Sequence, residues 1–170
     1  MDGTLAVLFL AASLTDMALN DCQTGCMAER DATRRLSFQV SKVEFGREII
    51  GDEVYVGYDM GTRHGPFQPT FGASVTDTGD MWVGVGAKWT SERAFDNAFF
   101  AEASLMPGYY AKGSGPELGG VLQFRSSLGV GYAFDTGMTV LASYDHRSNG
   151  DTQFTNPGLE TIALRVAFPF

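Results

Sequence analysis

Three residues near the end of the chain have the types and spacing to do chemistry: His146, Ser148 and Glu160. In an extended strand, residues two apart project from the same face, about 7 Å apart along the chain. His146 and Ser148 are therefore neighbours, with a ring nitrogen in reach of a hydroxyl. If the next strand pairs back antiparallel, Glu160 at its start comes to lie beside His146. A hydroxyl, an imidazole and a carboxylate placed this way supply a nucleophile, a general base and an acid that orients the base, the logic of ester hydrolysis. Asn149, Gly150 and Asn156, in the polar stretch between, are candidate oxyanion donors. A His-x-Ser pattern on its own also occurs at solvated strand rims, so its meaning depends on the elements that carry it.

Those elements read as strands. Met138 to Ser148 runs into the site and Leu159 to Phe170 leaves it, with Gly150 and Asn156-Pro157-Gly158 marking turns between them. From Leu36 onward the dominant period is two. Leu36, Phe38 and Val40 alternate with Ser37, Gln39 and Ser41, and Val54, Val56 and Tyr58 with Tyr55 and Gly57. The same alternation recurs from Phe67 to Val75, Met81 to Trp89, Phe99 to Leu105 and Leu122 to Phe134. Turn clusters such as Asp77-Thr78-Gly79-Asp80 and Asp135-Thr136-Gly137 separate the runs, giving about eight strands.

Composition agrees. Across 170 residues there are 21 Gly and 13 Phe, and only 19% of the residues are charged, a balance suited to an all-β protein. A net charge of −8 argues against nucleic acid as a partner. The single apolar run, Leu5 to Leu14, is too short for a transmembrane helix. Its length suits an export signal, although Met1 to Thr4 carries no Lys or Arg. A displaced start with a degraded signal is the favoured reading, and a buried N-terminal helix or plug the other. Cys22 and Cys26 could close a small disulfide loop in an oxidising compartment. His64 falls in a turn-like stretch and reads as solvated. Residues 15–35 read as a linker or an N-terminal segment outside the main fold, whose charges, Glu29-Arg30-Asp31 and Arg34-Arg35, face water.

One face of every strand is apolar and the other carries Gly, Ser, Gln, Lys, Glu or Arg. Alternation alone does not say which face is inside. Strand lengths of roughly nine to eleven residues suit a bilayer crossing. Aromatic residues near strand ends suit interfacial girdles. The expected fold is therefore an all-β, eight-stranded antiparallel transmembrane barrel of outer-membrane type over residues 36–170. Residues 1–35 form an N-terminal segment. Glu102, Arg125 and Arg165 are expected in an internal polar network. A soluble lipocalin-like carrier is the alternative architecture.

In the membrane frame His146 and Ser148 share the outward face of Val140, Ala142 and Tyr144, and Glu160 that of Ile162 and Leu164. All three sit beside the same loop, hence at one rim. With an even strand number and the N-terminus in the periplasm, that rim is extracellular. A soluble ester would be poorly served by this position, and a membrane lipid ester well served.

His146-x-Ser148-Asn149, followed by Asn156 and Glu160 in the last hairpin of an eight-stranded chain, resembles the PagL-type lipid A 3-O-deacylases. The terminal aromatic, Phe170, resembles the assembly signal that ends bacterial outer-membrane barrels. The close resemblance covers about Tyr144 to Phe170 and extends loosely back to residue 36; the N-terminal segment departs from it. It implies Ser148 as nucleophile, His146 as base, Glu160 as orienting acid, and Asn156 and the Gly150 amide as oxyanion donors. It further implies an outer-membrane serine esterase acting on lipid A or lipopolysaccharide among membrane lipids, with no cofactor and no metal, and leaves a homodimer open. Arg147 is a candidate contact for a lipid phosphate. The competing functions are a non-enzymatic structural or adhesive barrel and a phospholipid esterase.

Overall fold

The computed structural model describes residues 3–93 and 98–170. Eight strands form a closed barrel: β1 (Arg35–Phe45), β2 (Glu48–Asp59), β3 (Gln68–Thr76), β4 (Met81–Thr90), β5 (Phe99–Ala111), β6 (Leu122–Ala133), β7 (Thr139–Ser148) and β8 (Leu159–Pro169). Each pairs antiparallel with the next, and β8 closes on β1, with Glu160 opposite Glu44 and Pro169 opposite Arg35. The connections at 46–47, 77–80, 112–121 and 149–158 make up one rim, here the upper one.

Burial decides which face is inside. On β1, Ser37, Gln39 and Ser41 are buried while Phe38 and Val40 are 49% and 60% exposed. The same inversion holds for Val54 and Val56 on β2, Val83 and Val85 on β4, and Ile162 and Leu164 on β8. An apolar belt around a polar interior is stable in hydrocarbon and unstable in water, so this is a transmembrane barrel. Closure pairs every strand and removes the edges that lipid could not satisfy.

The polar interior is cross-linked by charge. Arg125 pairs with Asp145 at 2.6 Å and with Glu53 at 3.0 Å, and Arg147 reaches Glu53 at 2.7 Å. Lower down, Glu102 binds Arg165 at 2.7 Å and Lys88 at 3.1 Å, and Lys88 also binds Asp59 at 2.6 Å. Gln39 joins the two groups by donating to Asp145 and accepting from Arg165 Nε. The expected Glu102–Arg125–Arg165 network is therefore one web, with Arg125 linked to the others through Asp145 and Gln39. Arg125 also stacks over Tyr55 at 4.7 Å, and Arg147 over Trp82 at 5.6 Å. Trp82 fits inside because its neighbours are Gly84 and Gly108: a Cβ on either would come within 2.5 Å of the indole.

Strands β1, β2 and β5 run longer than the alternation read in the sequence, to Phe45, from Glu48 and to Ala111. Strand β5 passes through Pro107-Gly108 on its way to Ala111. Pro107 has no N–H to give, and the β4–β5 ladder lapses beside it, between the pairs Gly84–Gly108 and Ala87–Leu105. Pairing with β6 continues across the gap and carries the strand on.

The N-terminal segment differs more. Helix α1 (Thr4–Asp16) is neither buried nor a plug. It packs on the outside of the barrel against β4, β5 and β6. There Trp89 Nε1–H donates to Asp16 at 2.8 Å, and Ala103, the outward cross-strand partner of Trp89, is only 1% exposed. Residues 15–34 lie outside the barrel and carry structure of their own. Cys22 and Cys26 are joined by a disulfide, and Glu29–Asp31 pairs with Thr62–His64 in a small separate sheet. The charges expected in water are partly consumed: buried Asp21 binds Arg30 and Arg63, and Arg35 binds Glu92. His64 lies in that small sheet opposite Glu29 and is half-buried, because its backbone is paired on both sides.

The upper loops are tied down by Asp80. Its carboxylate accepts from the backbone N–H groups of Gly113 and Gly115 and from the Thr76 and Thr78 hydroxyls. Burial works to raise the Asp80 pKa, but these bonds together outweigh it and hold the group below its ordinary value. A lowered folded-state pKa means that the stabilisation is present above the unfolded value and lost as pH falls through the folded one. Peptic cleavage within residues 112–121 should accelerate as pH drops below about 4, and Asp80→Asn should remove that pH dependence. Inside the barrel, Glu53→Gln leaves two buried guanidinium groups short of a counter-charge. It should cost about 3–5 kcal/mol in urea unfolding from a bilayer.

Candidate active site at the lipid-facing rim

Strand β7 ends in Asp145-His146-Arg147-Ser148, and its alternation is fixed from inside. Asp145 is held by Arg125, Gln39, Ser143 and Thr161. Arg147 is held by Glu53, with Ser74 at 3.4 Å. Since both point inward, the pleat sends His146 and Ser148 outward. This also removes Arg147 as a phosphate contact: it is buried in the barrel core and its charge is already paired.

Glu160, at the start of β8, is the cross-strand partner of His146. The side chains meet, with His146 Nδ1 2.9 Å from Glu160 Oε1. With the carboxylate ionised, Nδ1–H donates to it and Nε2 carries no proton, the tautomer a general base needs. Ser148 lies two residues on, on the same face, and both residues are well shielded, at 7% and 6% exposure. Across the opposite edge of β7, Ser126 of β6 is the partner of His146, and Phe124 that of Ser148. The Ser126 hydroxyl donates to the His146 carbonyl at 3.4 Å.

The loop after Ser148 is shaped by amides. Asn149 is fully buried, and its Nδ2 donates to the carbonyls of Leu118, Gly119 and Thr155, stitching the 112–121 and 149–158 loops together. Its backbone N–H donates to Asn156 Oδ1 at 3.0 Å, and Asn156 Nδ2 donates to Asp151 at 2.8 Å in an exposed bond. Gly150 turns the chain at φ +62°. Among the described residues its N–H has no hydrogen-bond partner.

Two residues at this site carried weaker signals in the sequence. Gly158 reads as the end of an Asn-Pro-Gly turn, yet it floors the site. It sits at φ +78°, and a Cβ there would lie 3.0 Å from His146 Cε1 and 3.4 Å from Glu160 Oε1. Ser126 is the one break in an outward row of Leu122, Phe124, Leu128, Val130 and Tyr132, and that break in alternation was its signal. An imidazole flanked by a carboxylate and followed by a serine, on the lipid side of a rim, has the parts for acyl transfer from a lipid ester.

No curated protein sequence matches the chain. Among solved structures, the outer membrane enzyme PagL superposes with a TM-score of 0.64 at 20% identity, over 80% of this chain and 99% of that one. A de novo designed transmembrane β-barrel gives 0.60 at 11% identity, over 83% and 98%. Neisserial surface protein A gives 0.50 at 12% identity, over 84% and 99%. At these identities the structures establish the fold, an eight-stranded outer-membrane barrel. The family model for lipid A 3-O-deacylase (PagL) matches residues 53–169, most of the chain and all of β3 to β8. The chain is an outer-membrane β-barrel that belongs to the lipid A 3-O-deacylase (PagL) family.

Proposed function

We propose that this barrel hydrolyses the 3-O-acyl ester of lipid A from the outer leaflet, using Ser148, His146 and Glu160 as a serine esterase. The observation that carries the reading is the His146–Glu160 hydrogen bond on the lipid-facing side of β7 and β8, with Ser148 next on the same face. A glycolipid in the bilayer reaches this position by lateral diffusion, with its sugars at the rim and its acyl chains along the apolar belt.

His146 Nε2 takes the proton from Ser148 Oγ as the oxygen attacks the ester carbonyl. The tetrahedral oxyanion is held by the Gly150 N–H, joined by Asn156 Nδ2 once its exposed bond to Asp151 is exchanged. Collapse expels the sugar 3-oxygen, which takes the proton from His146. Water, deprotonated by the same nitrogen, then attacks the acyl-serine; collapse breaks the acyl–Oγ bond, Ser148 Oγ takes the proton back from His146, and the fatty acid leaves. Glu160 holds the ring and offsets its charge in both steps, which is why it stays beside Nδ1. Asn149 supports rather than reacts, since its amide is spent on three carbonyls.

Mass spectrometry of lipid A incubated with the refolded barrel should show loss of one ester-linked acyl chain. Ser148→Ala should abolish that loss without changing heat-modifiable migration, and a phospholipid control should stay intact. An unchanged lipid A spectrum from the folded parent protein would overturn the proposal. Asn156→Ala should lower kcat about a hundredfold, the usual loss for one oxyanion donor. Gly158→Ala places a methyl against the imidazole in a strained backbone conformation. It should depress kcat at least tenfold while costing about 1–3 kcal/mol of stability.

A further inference from the structure

Charge is excluded from a lipid-facing belt unless it sits near the headgroups or has a task there. Among the described residues, Lys42 is the one Lys or Arg on the outward face of a barrel strand; Arg35, Lys88, Arg125, Arg147 and Arg165 all point inside. Its flanking position Val40 belongs to the apolar belt, and Glu44 beyond it lies at the rim. Lys42 is the cross-strand partner of Ile162, two residues along β8 from Glu160, and Glu44 is the partner of Glu160 itself. Its Cα therefore lies roughly 7–8 Å from that of Glu160. The four-carbon stem lets its ammonium rise along the apolar surface to the headgroup level. Lys42 binds Asp52 Oδ1 at 2.6 Å, but both side chains are 61% exposed. An exposed pair of this kind contributes little and exchanges its partner readily.

We propose that Lys42 is the headgroup subsite of this enzyme, an ammonium that takes a sugar phosphate of the glycolipid while Asp52 holds it in the empty state. The proposal rests on the esterase reading for the identity of the lipid. Its geometry answers a need of that reading: an anionic substrate must approach a site carrying Glu44 and Glu160, and a neighbouring cation offsets those charges. Exchange of Asp52 for phosphate would also fix the sugar relative to Ser148, two strands away, and so select which ester is presented.

The test separates this role from a structural ion pair. In the Ser148→Ala background, the full chain is refolded in uncharged detergent, and binding of lipid A and of chemically dephosphorylated lipid A is measured by calorimetry. Lys42→Gln should weaken binding of lipid A about fivefold, the contribution of one cation near an anionic headgroup. It should leave binding of the dephosphorylated lipid unchanged. Lys42→Arg should bind as the parent does, and Asp52→Asn, which frees the ammonium, should bind lipid A more tightly. Equal losses for Lys42→Gln and Asp52→Asn would mean that the pair matters only as a pair, and would overturn the proposal. So would a Lys42→Gln loss that persists with the dephosphorylated lipid. Binding is read without turnover, so a failure of the esterase chemistry is distinguished from a failure of the subsite.

Discussion

The interaction on which the rest depends is the buried pairing of Asp145 and Arg147 with Arg125 and Glu53. Strand β7 has no choice of face once those two side chains are inside, because a one-residue slip would put a carboxylate and a guanidinium into hydrocarbon. The same slip would turn His146 and Ser148 into the barrel. Interior charge thus does two jobs: it fills a small barrel and it fixes the outward aim of the two residues that flank it. Burying ions is costly, and pairing brings the cost down without removing it. In this barrel that expense is tied to register, which a uniformly apolar interior would leave less defined.

The second layer of positioning lies in the loops. Asn149 follows Ser148 directly and spends its amide on carbonyls of both neighbouring loops, while Asp80 pins the 112–121 loop to the turn before β4. The end of β7 is therefore held at its core by charge and at its tip by neutral amide bonds. Between these anchors the His146–Glu160 contact spans adjacent strands, so the register of β7 on β8 sets its geometry. Gly158 keeps the floor open at a backbone conformation that a side chain would resist.

Much of this was legible in the sequence because membrane barrels obey a simple period. Alternation located the eight strands, and parity put His146, Ser148 and Glu160 on one side at one rim. Parity could not say which side was inward, since a lipocalin and a membrane barrel share the pattern; burial of Ser37 and Gln39 against exposure of Phe38 and Val40 decides it. What stayed hidden depends on three-dimensional partners. The engagement of Arg147 requires Glu53, 94 residues earlier in the chain. The alternation read in the sequence ends at Leu105, whereas pairing with β6 carries β5 on past Pro107. The N-terminal helix seated on β5 and β6 followed from no periodicity, because an apolar run fits a signal, a plug or an outer coat equally well.

The central claim is that a base-activated serine faces lipid, and the most direct measurement is covalent labelling in a bilayer. The protein in vesicles would be treated with a long-chain alkyl fluorophosphonate and, separately, with a short water-soluble one, and the adduct located by peptide mass spectrometry. A single adduct on Ser148, formed much faster with the long-chain reagent, is the predicted result. Labelling at another residue, or equal rates for the two reagents, would contradict a nucleophile served from the membrane.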